Sequence, residues 1–212
     1  MCDRSVEYIL RGQYDAALKQ LEGAKSSGAS PADVENLKGL ALMLSGDAQK
    51  ALASFDRALE LNPSLEEAHY NRGLVLLRLN DPAKASSELE KVWANENSPL
   101  RAQAAYHNGI ALDRLGRASD AEQWLSRSNV DAALLYTGFL RERRHDAQGA
   151  GRAYFDYLKA HPSSTIAMLR FGIVAQAAGR VEVARTYLQR VIASAPESPE
   201  AVEARKFLVM WE

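Results

Sequence analysis

Residues 32–65 read ADVENLKGLALMLSGDAQKALASFDRALELNPSL. Apolar side chains fall at Leu37, Leu40, Ala41 and Leu44, then at Ala51, Leu52, Phe55, Ala58 and Leu59. Each set follows the i, i+3, i+4, i+7 spacing that lines one face of an α-helix. Ser45-Gly46-Asp47 breaks the pattern between them and Asn62-Pro63 ends it. The stretch therefore spells helix, tight turn, helix, stop. Neither helix can bury its stripe alone, so the unit needs neighbours.

Outward from this stretch the pattern recurs. Gly39, Gly73, Gly109, Gly138 and Gly172 are separated by 34, 36, 29 and 34 residues and sit at one place in successive first helices. A second set, Gly12, Gly46, Gly116 and Gly179, marks the turn within the unit, so one register accounts for nine of the thirteen glycines. Ala17, Ala51, Ala85, Ala121, Ala150 and Ala184 each lie five residues past the turn position, and Pro63, Pro162 and Pro196 mark stops. A fixed period of this size is the mark of a repeat array. A glycine inside a helix costs about 1 kcal/mol relative to alanine. A packing demand must offset that at five positions, and a close approach of the two helices of each unit, with the small alanine as the other half of the contact, supplies one.

The register resembles that of the tetratricopeptide repeat (TPR) family. Residues 32–65 match its pattern as Gly39, Leu42, Gly46, Ala51, Phe55, Ala58 and Pro63. The next units match through Tyr70, Gly73, Ala85 and Leu89, then Tyr106, Gly109, Gly116, Ala121 and Leu125. Two more follow through Gly138, Ala150, Tyr154 and Pro162, and through Gly172, Gly179, Ala184, Leu188 and Pro196. The pattern departs at Asn80 and His145, which stand where the turn glycine is expected. The first unit fits through Tyr8, Gly12, Tyr14, Ala17, Leu21 and Ala24, with a shortened first helix.

The resemblance implies an all-α fold, an α-solenoid of antiparallel helix pairs wound as a right-handed superhelix. It gives a single solenoid domain over residues 1–212, with repeats at 1–31, 32–65, 66–101, 102–130, 131–164 and 165–198 and a capping helix at 199–212. In that cap Val202, Phe207, Leu208 and Trp211 form the expected apolar side, and Glu200, Glu203, Arg205 and Lys206 the wet one. The fourth repeat is five residues short. Its second helix must lose about one turn, or the superhelical pitch must change near Ser128-Asn129.

Composition limits the function. The net charge is −1, so no basic field points to nucleic acid. No run of about 18 apolar residues spans a membrane. Cys2 is the single cysteine, which excludes a disulfide framework and a cysteine-built zinc site. His69, His107, His145 and His161 show no metal-ligand spacing, and no nucleophile or phosphate-loop motif is present. The sequence thus predicts no enzyme, no metal and no cofactor.

The family resemblance implies protein or peptide binding on the concave surface lined by the first helix of each repeat. The positions carried over are Tyr70, Asn71, Leu74 and Arg78; Tyr106, His107, Ile110 and Arg114; Leu135, Tyr136, Phe139 and Arg143; and Leu169, Arg170 and Ile173. The aromatic rings either meet a partner or fill gaps between adjacent first helices. Arg78, Arg114 and Arg143 form a ladder suited to carboxylates, or a solvated face paired with Asp113 and Glu142. The carboxylate clamp of chaperone-binding TPR domains is not matched: its places hold Asn36, Leu40, Asn71, Gln103 and His107, and only Asn71 agrees.

The expected role is a scaffold or adaptor. A homo-oligomer through an uncapped first repeat, with Tyr8 and Tyr14 at its surface, is the alternative architecture. With no leader ahead of the first helix the expected location is the cytoplasm. The alternative resembles the type IV pilus pilotins, lipoproteins of about six TPRs, with Cys2 as the anchor at the periplasmic face of a membrane.

Overall fold

The computed structural model describes residues 2–24 and 28–210, without the side chains of Cys2, Asp3 and Ala24. The anchoring role of the Cys2 side chain, the packing of Ala24 and the place of Trp211 in the cap lie outside the described residues. Among those described are thirteen α-helices and no strand: α1 (Cys2–Leu10), α2 (Tyr14–Ala24), α3 (Pro31–Ser45), α4 (Ala48–Leu61), α5 (Glu66–Arg78), α6 (Pro82–Ala94), α7 (Arg101–Arg114), α8 (Ala118–Ser126), α9 (Asp131–Arg143), α10 (Ala147–Ala160), α11 (Thr165–Ala177), α12 (Val181–Ser194) and α13 (Pro199–Val209). They form six helix pairs, each an A helix followed by a B helix, and a final single helix. The chain divides into two compact units, Met1–Trp124 and Leu125–Glu212, which are described separately.

The A-to-B turn has one construction throughout. Gly12, Gly46, Gly116 and Gly179 take φ between 72° and 100°. Asn80 and His145 adopt the same left-handed conformation at φ 60°, so the geometry persists where the glycine does not. The amide of the next residue reaches back to close the A helix: Asp47 to Leu42 O, Asp81 to Leu76 O and Asp146 to Arg141 O, at 2.8–2.9 Å. The same three aspartates then cap the B helix, accepting from the amides of Lys50, Lys84 and Gly149. At these three turns one residue in αL and one capping carboxylate reverse the chain in a single step; the turns at Gly12, Gly116 and Gly179 continue with Gln13, Arg117 and Arg180 and share the αL residue and the reach-back bond alone.

At Gly39, Gly73, Gly138 and Gly172 the mid-helix glycine does mark close approach; the carbonyls of the expected alanines Ala85 and Ala184 lie 3.5 and 3.3 Å from a Cβ at Gly73 and Gly172, and a larger residue comes nearer still. A Cβ on Gly39 would stand 2.5 Å from the ring of Phe55, and one on Gly73 or Gly172 would stand 2.9 Å from Leu89 or Leu188. On Gly138 it would collide with the ring of Tyr154. The large B-helix residue, one helical turn beyond the alanine, fills the place of the missing side chain. The six register alanines are fully buried beside it.

Helix α8 has nine residues against thirteen or fourteen in α4, α6, α10 and α12, so the deletion is absorbed as a shortened helix. In the cap, Ala201 and Ala204 are buried while Val202 is 45% exposed. This corrects the place of Val202 on the expected apolar side. The buried positions are Ala201 and Ala204, and Val202 lies about 100° from Ala201 around the helix. Phe207 and Leu208 pack on the core built from Tyr154, Leu158, Met168 and Leu188.

Candidate partner-binding surface

In the first unit the A helices α5 and α7 carry Tyr70, Asn71, Leu74 and Arg78, and Tyr106, His107, Ile110 and Arg114. His107 Nδ1 lies 2.9 Å from the carbonyl of Gln103 and 3.2 Å from the hydroxyl of Tyr70. The carbonyl can only accept, so the proton sits on Nδ1 and the Tyr70 oxygen shares it. Burial pushes the His107 pKa down, and the bond to Gln103 opposes this only in part. Burial also raises that of Tyr70. The imidazole stacks edge-on against Tyr70 at 5.7 Å and Tyr106 at 4.9 Å. Three predicted residues from two repeats thus form one neutral, half-buried aromatic cluster. Beside it the Asn71 amide donates to Asn36 Oδ1 at 3.1 Å, and Leu74 packs against the core around Phe55. Ile110 is half-buried on the same helix as Tyr106.

The arginine ladder has a structural use that neither sequence reading contained. Arg78 Nη1 donates to the carbonyl of Met43 at 2.6 Å, and Arg114 Nη1 donates to that of Leu77. Each guanidinium adds a donor at the C-terminal end of the preceding A helix, where the helix dipole is negative, to a carbonyl that also accepts from the turn amide of Gly46 or Asn80. Both side chains remain exposed along their outer edges. Glu142, expected beside Arg143, accepts from Tyr154 Oη at 2.7 Å and faces Arg170 Nη1 at 3.4 Å.

In the second unit the predicted residues are more deeply set. Leu135, Phe139 and Ile173 pack against the core, and Phe139 meets Tyr154 edge-on at 5.7 Å. The Arg170 guanidinium lies 5.9 Å from the Phe139 ring. Leu169 is 1% exposed and belongs to the core, which removes it from any contact surface. Tyr136 is half-buried and Arg143 exposed on α9.

Sequence reading missed a charged cluster on the B-helix side of the first unit. Glu88 of α6 is 4% exposed, yet receives His69 Nδ1 at 2.6 Å, Lys91 Nζ at 2.7 Å and Arg72 Nη1 at 3.0 Å. Arg72 also binds Asp56 of α4 at 2.7 Å. Burial alone would raise the Glu88 pKa. The bonds from His69 and Lys91 and the charges of Arg72 and Lys91 outweigh it and hold it at about 2. A glutamate in a helix reads as a solvated face; only the convergence of α4, α5 and α6 reveals the network. Among the described residues no group of acidic, histidine or cysteine side chains could hold a metal ion, and no helix is long and apolar enough to cross a membrane.

Models of the TPR repeat match residues 39–80, and models of the tetratricopeptide repeat match residues 70–133 and 166–198, more than half of the chain together. The chain is 30% identical over 128 residues to the photosystem I assembly protein Ycf3 of Synechococcus sp. (strain WH7803), spanning 57% of this chain and 70% of that protein. It is 34% identical over 83 residues to Ycf3 of Acaryochloris marina (strain MBIC 11017), spanning 38% of this chain but half of the relative's length. Among solved structures, PilW, described as a widely conserved type IV pilus biogenesis factor, superposes with a TM-score of 0.85 at 23% identity, over 97% of this chain and 96% of that one. The glycine–large-residue contacts, the left-handed turns and these matches agree: the chain belongs to the tetratricopeptide repeat family of protein-interaction scaffolds.

Proposed function

We propose that this protein is a non-enzymatic adaptor that holds a segment of a partner protein on its A-helix face during assembly of a larger complex. The Tyr70–Tyr106–His107 cluster carries the reading. Its rings are half-buried, locked by hydrogen bonds and edge-on stacking, and supplied by two repeats. Such rings give contact area with little entropy left to lose. The roles of the relatives, photosystem I assembly and pilus biogenesis, support an assembly role over a catalytic one. The test is capture of partners by the intact chain against a Tyr106→Ala, Tyr136→Ala variant. Capture is expected to fall about tenfold with helicity unchanged; undiminished capture removes the A-helix face from the function.

This reading places the protein in the cytoplasm. A second reading, supported by the end-to-end likeness to PilW, is a pilotin-like lipoprotein assisting assembly of an outer-membrane complex, anchored through Cys2 at the periplasmic face. Mass spectrometry of the protein from its own cells decides it: an acylated Cys2 favours the second, an unmodified thiol the first. A self-assembling scaffold is the third reading, and a concentration-independent monomer in sedimentation rules it out.

A further inference from the structure

In the second unit α10 and α12 both pack on α11, and between them lies a cavity of about 380 Å³. Its floor is Gly151, Phe171, Val174 and Ala175, and its walls include Phe155 and Val183, which are 44% and 38% exposed. A second hollow shares Phe155 and Tyr187 and extends the groove toward Pro162. Phe171 meets Phe155 at 5.8 Å and Tyr187 at 4.6 Å, so three rings run across the groove.

The register explains the hollow. Gly151 follows Ala150 as Leu18 follows Ala17 and Leu52 follows Ala51. Leu52 packs against the cluster that contains Val75; Gly151 faces Val174, at the corresponding place in its own unit. A Cβ on Gly151 would stand 3.6 Å from Val174, an ordinary contact, so no close approach demands this glycine. Its effect is to leave open the space a leucine would take.

The rim is cationic. Arg152 and Arg180 line the first hollow, Lys159 and Arg190 the second, and no carboxylate lines either. Lys159 pairs with Asp156 at 2.6 Å and Arg190 lies 5.0 Å from the Tyr187 ring. Arg152 and Arg180 form no ion pair among the described residues. An apolar aromatic trough edged by unpaired guanidiniums matches a ligand that is apolar on one side and anionic on the other. We infer that this groove is a second interaction surface, separate from the A-helix face, which takes an acidic amphipathic segment of a partner protein. The segment seats an aliphatic or aromatic side chain over Gly151 and sets its carboxylates against Arg152 and Arg180.

Fluorescence anisotropy on the full chain tests this with three labelled helical peptides of about 15 residues. One carries a Leu/Phe stripe and Asp/Glu opposite, one the same stripe with Lys opposite, and one the acids with the stripe changed to Ser. The first is expected to bind, and the other two to bind at least about tenfold more weakly. Gly151→Leu, which plugs the hollow, and Arg152→Glu with Arg180→Glu should each weaken the first peptide about tenfold or more. Plugging is distinguished from damage by urea unfolding, since Gly151→Leu should be no less stable than the parent; if it is less stable, the arginine pair decides alone. The Tyr106→Ala, Tyr136→Ala variant should bind the first peptide as the parent does, so the two surfaces stand or fall separately. Equal binding of the lysine peptide, unchanged binding by the arginine variant, loss only in the tyrosine variant, or no binding of the acidic peptide at about millimolar concentration overturns the inference.

Discussion

Between repeats two and three, Asp56, Arg72 and Glu88 stand at the three register positions held between repeats five and six by Phe155, Phe171 and Tyr187. Each is next to a scaffold contact: one residue after the first large B-helix side chain, one before the mid-helix glycine, one before the next large side chain. In the first place the three side chains interlock as ions at 2.7 and 3.0 Å. In the second they meet as rings at 5.8 and 4.6 Å. Even Lys91, which pairs with Glu88, corresponds to Arg190, which lies over Tyr187. The backbone is fixed by Gly73–Leu89 and Gly172–Leu188, and the positions beside those contacts are left to vary in chemistry. One register thus gives an ion-paired seam in one unit and an apolar, cation-rimmed groove in the other.

The harshest way to break the comparison is Phe171→Arg, which places the charge of Arg72 among the rings without its carboxylates. Phe171 is 7% exposed, and its neighbours at the rim are already cationic. Loss of the ring packing and burial of an unpaired guanidinium should cost about 4 kcal/mol. Urea unfolding measures this, and a loss under about 1 kcal/mol would mean that the rings do not support the core as described. Glu88→Gln is next, at about 2 kcal/mol near neutral pH, because His69, Arg72 and Lys91 then converge on a neutral amide. The sign with pH is fixed. The Glu88 carboxyl falls from 4.5 to about 2 on folding, so its contribution is full above its unfolded value and fades as pH falls through about 2. Parent and variant should therefore converge in stability on acidification from about pH 6 to about pH 2. A constant gap would mean that packing, not charge, is what Glu88 supplies.

Much of this architecture was legible in the sequence, because the residues that set it act within one repeat. Gly39 and Phe55 are sixteen positions apart in the chain, and every repeat after the first carries the glycine and a large residue at that spacing. The turn was legible too, with one surprise. Asn80 and His145 looked like departures, yet the reach-back bonds of Asp81 and Asp146 hold them in αL, which costs non-glycine residues about 1 kcal/mol, less for asparagine. The A-helix aromatic residues were found by position, but position could not separate Tyr106 from Leu169, which the core takes entirely. The B-helix side was illegible for a different reason. Glu88 and Tyr187 acquire their surroundings from two other helices, and alone they read as an ordinary acid and an ordinary ring. One signal was available: Gly23, Gly28, Gly149 and Gly151 fall outside the register that explains the other nine glycines. Gly151 is the one of those four that is buried and floors the groove.

The finest distinction is between two glycines of the same repeat, and the same substitution resolves it. At Gly138 an added methyl meets the Tyr154 ring. That ring cannot swing aside, because it is fully buried, its hydroxyl donates to Glu142 and its edge abuts Phe139. Gly138→Ala should therefore destabilise by about 2 kcal/mol, even though alanine is the better helix former. At Gly151 the methyl makes only ordinary contacts, with Val174 at 3.6 Å and Phe171 at 3.9 Å. Gly151→Ala should show the helix preference alone and stabilise by up to about 1 kcal/mol. Opposite signs from urea titrations would establish that one glycine holds two helices together and the other only leaves a hollow. If both variants lose stability, Gly151 is itself a packing glycine and the groove is a by-product of close approach. If neither does, the Tyr154 ring yields, and the glycine–large-residue contact is looser than its geometry implies.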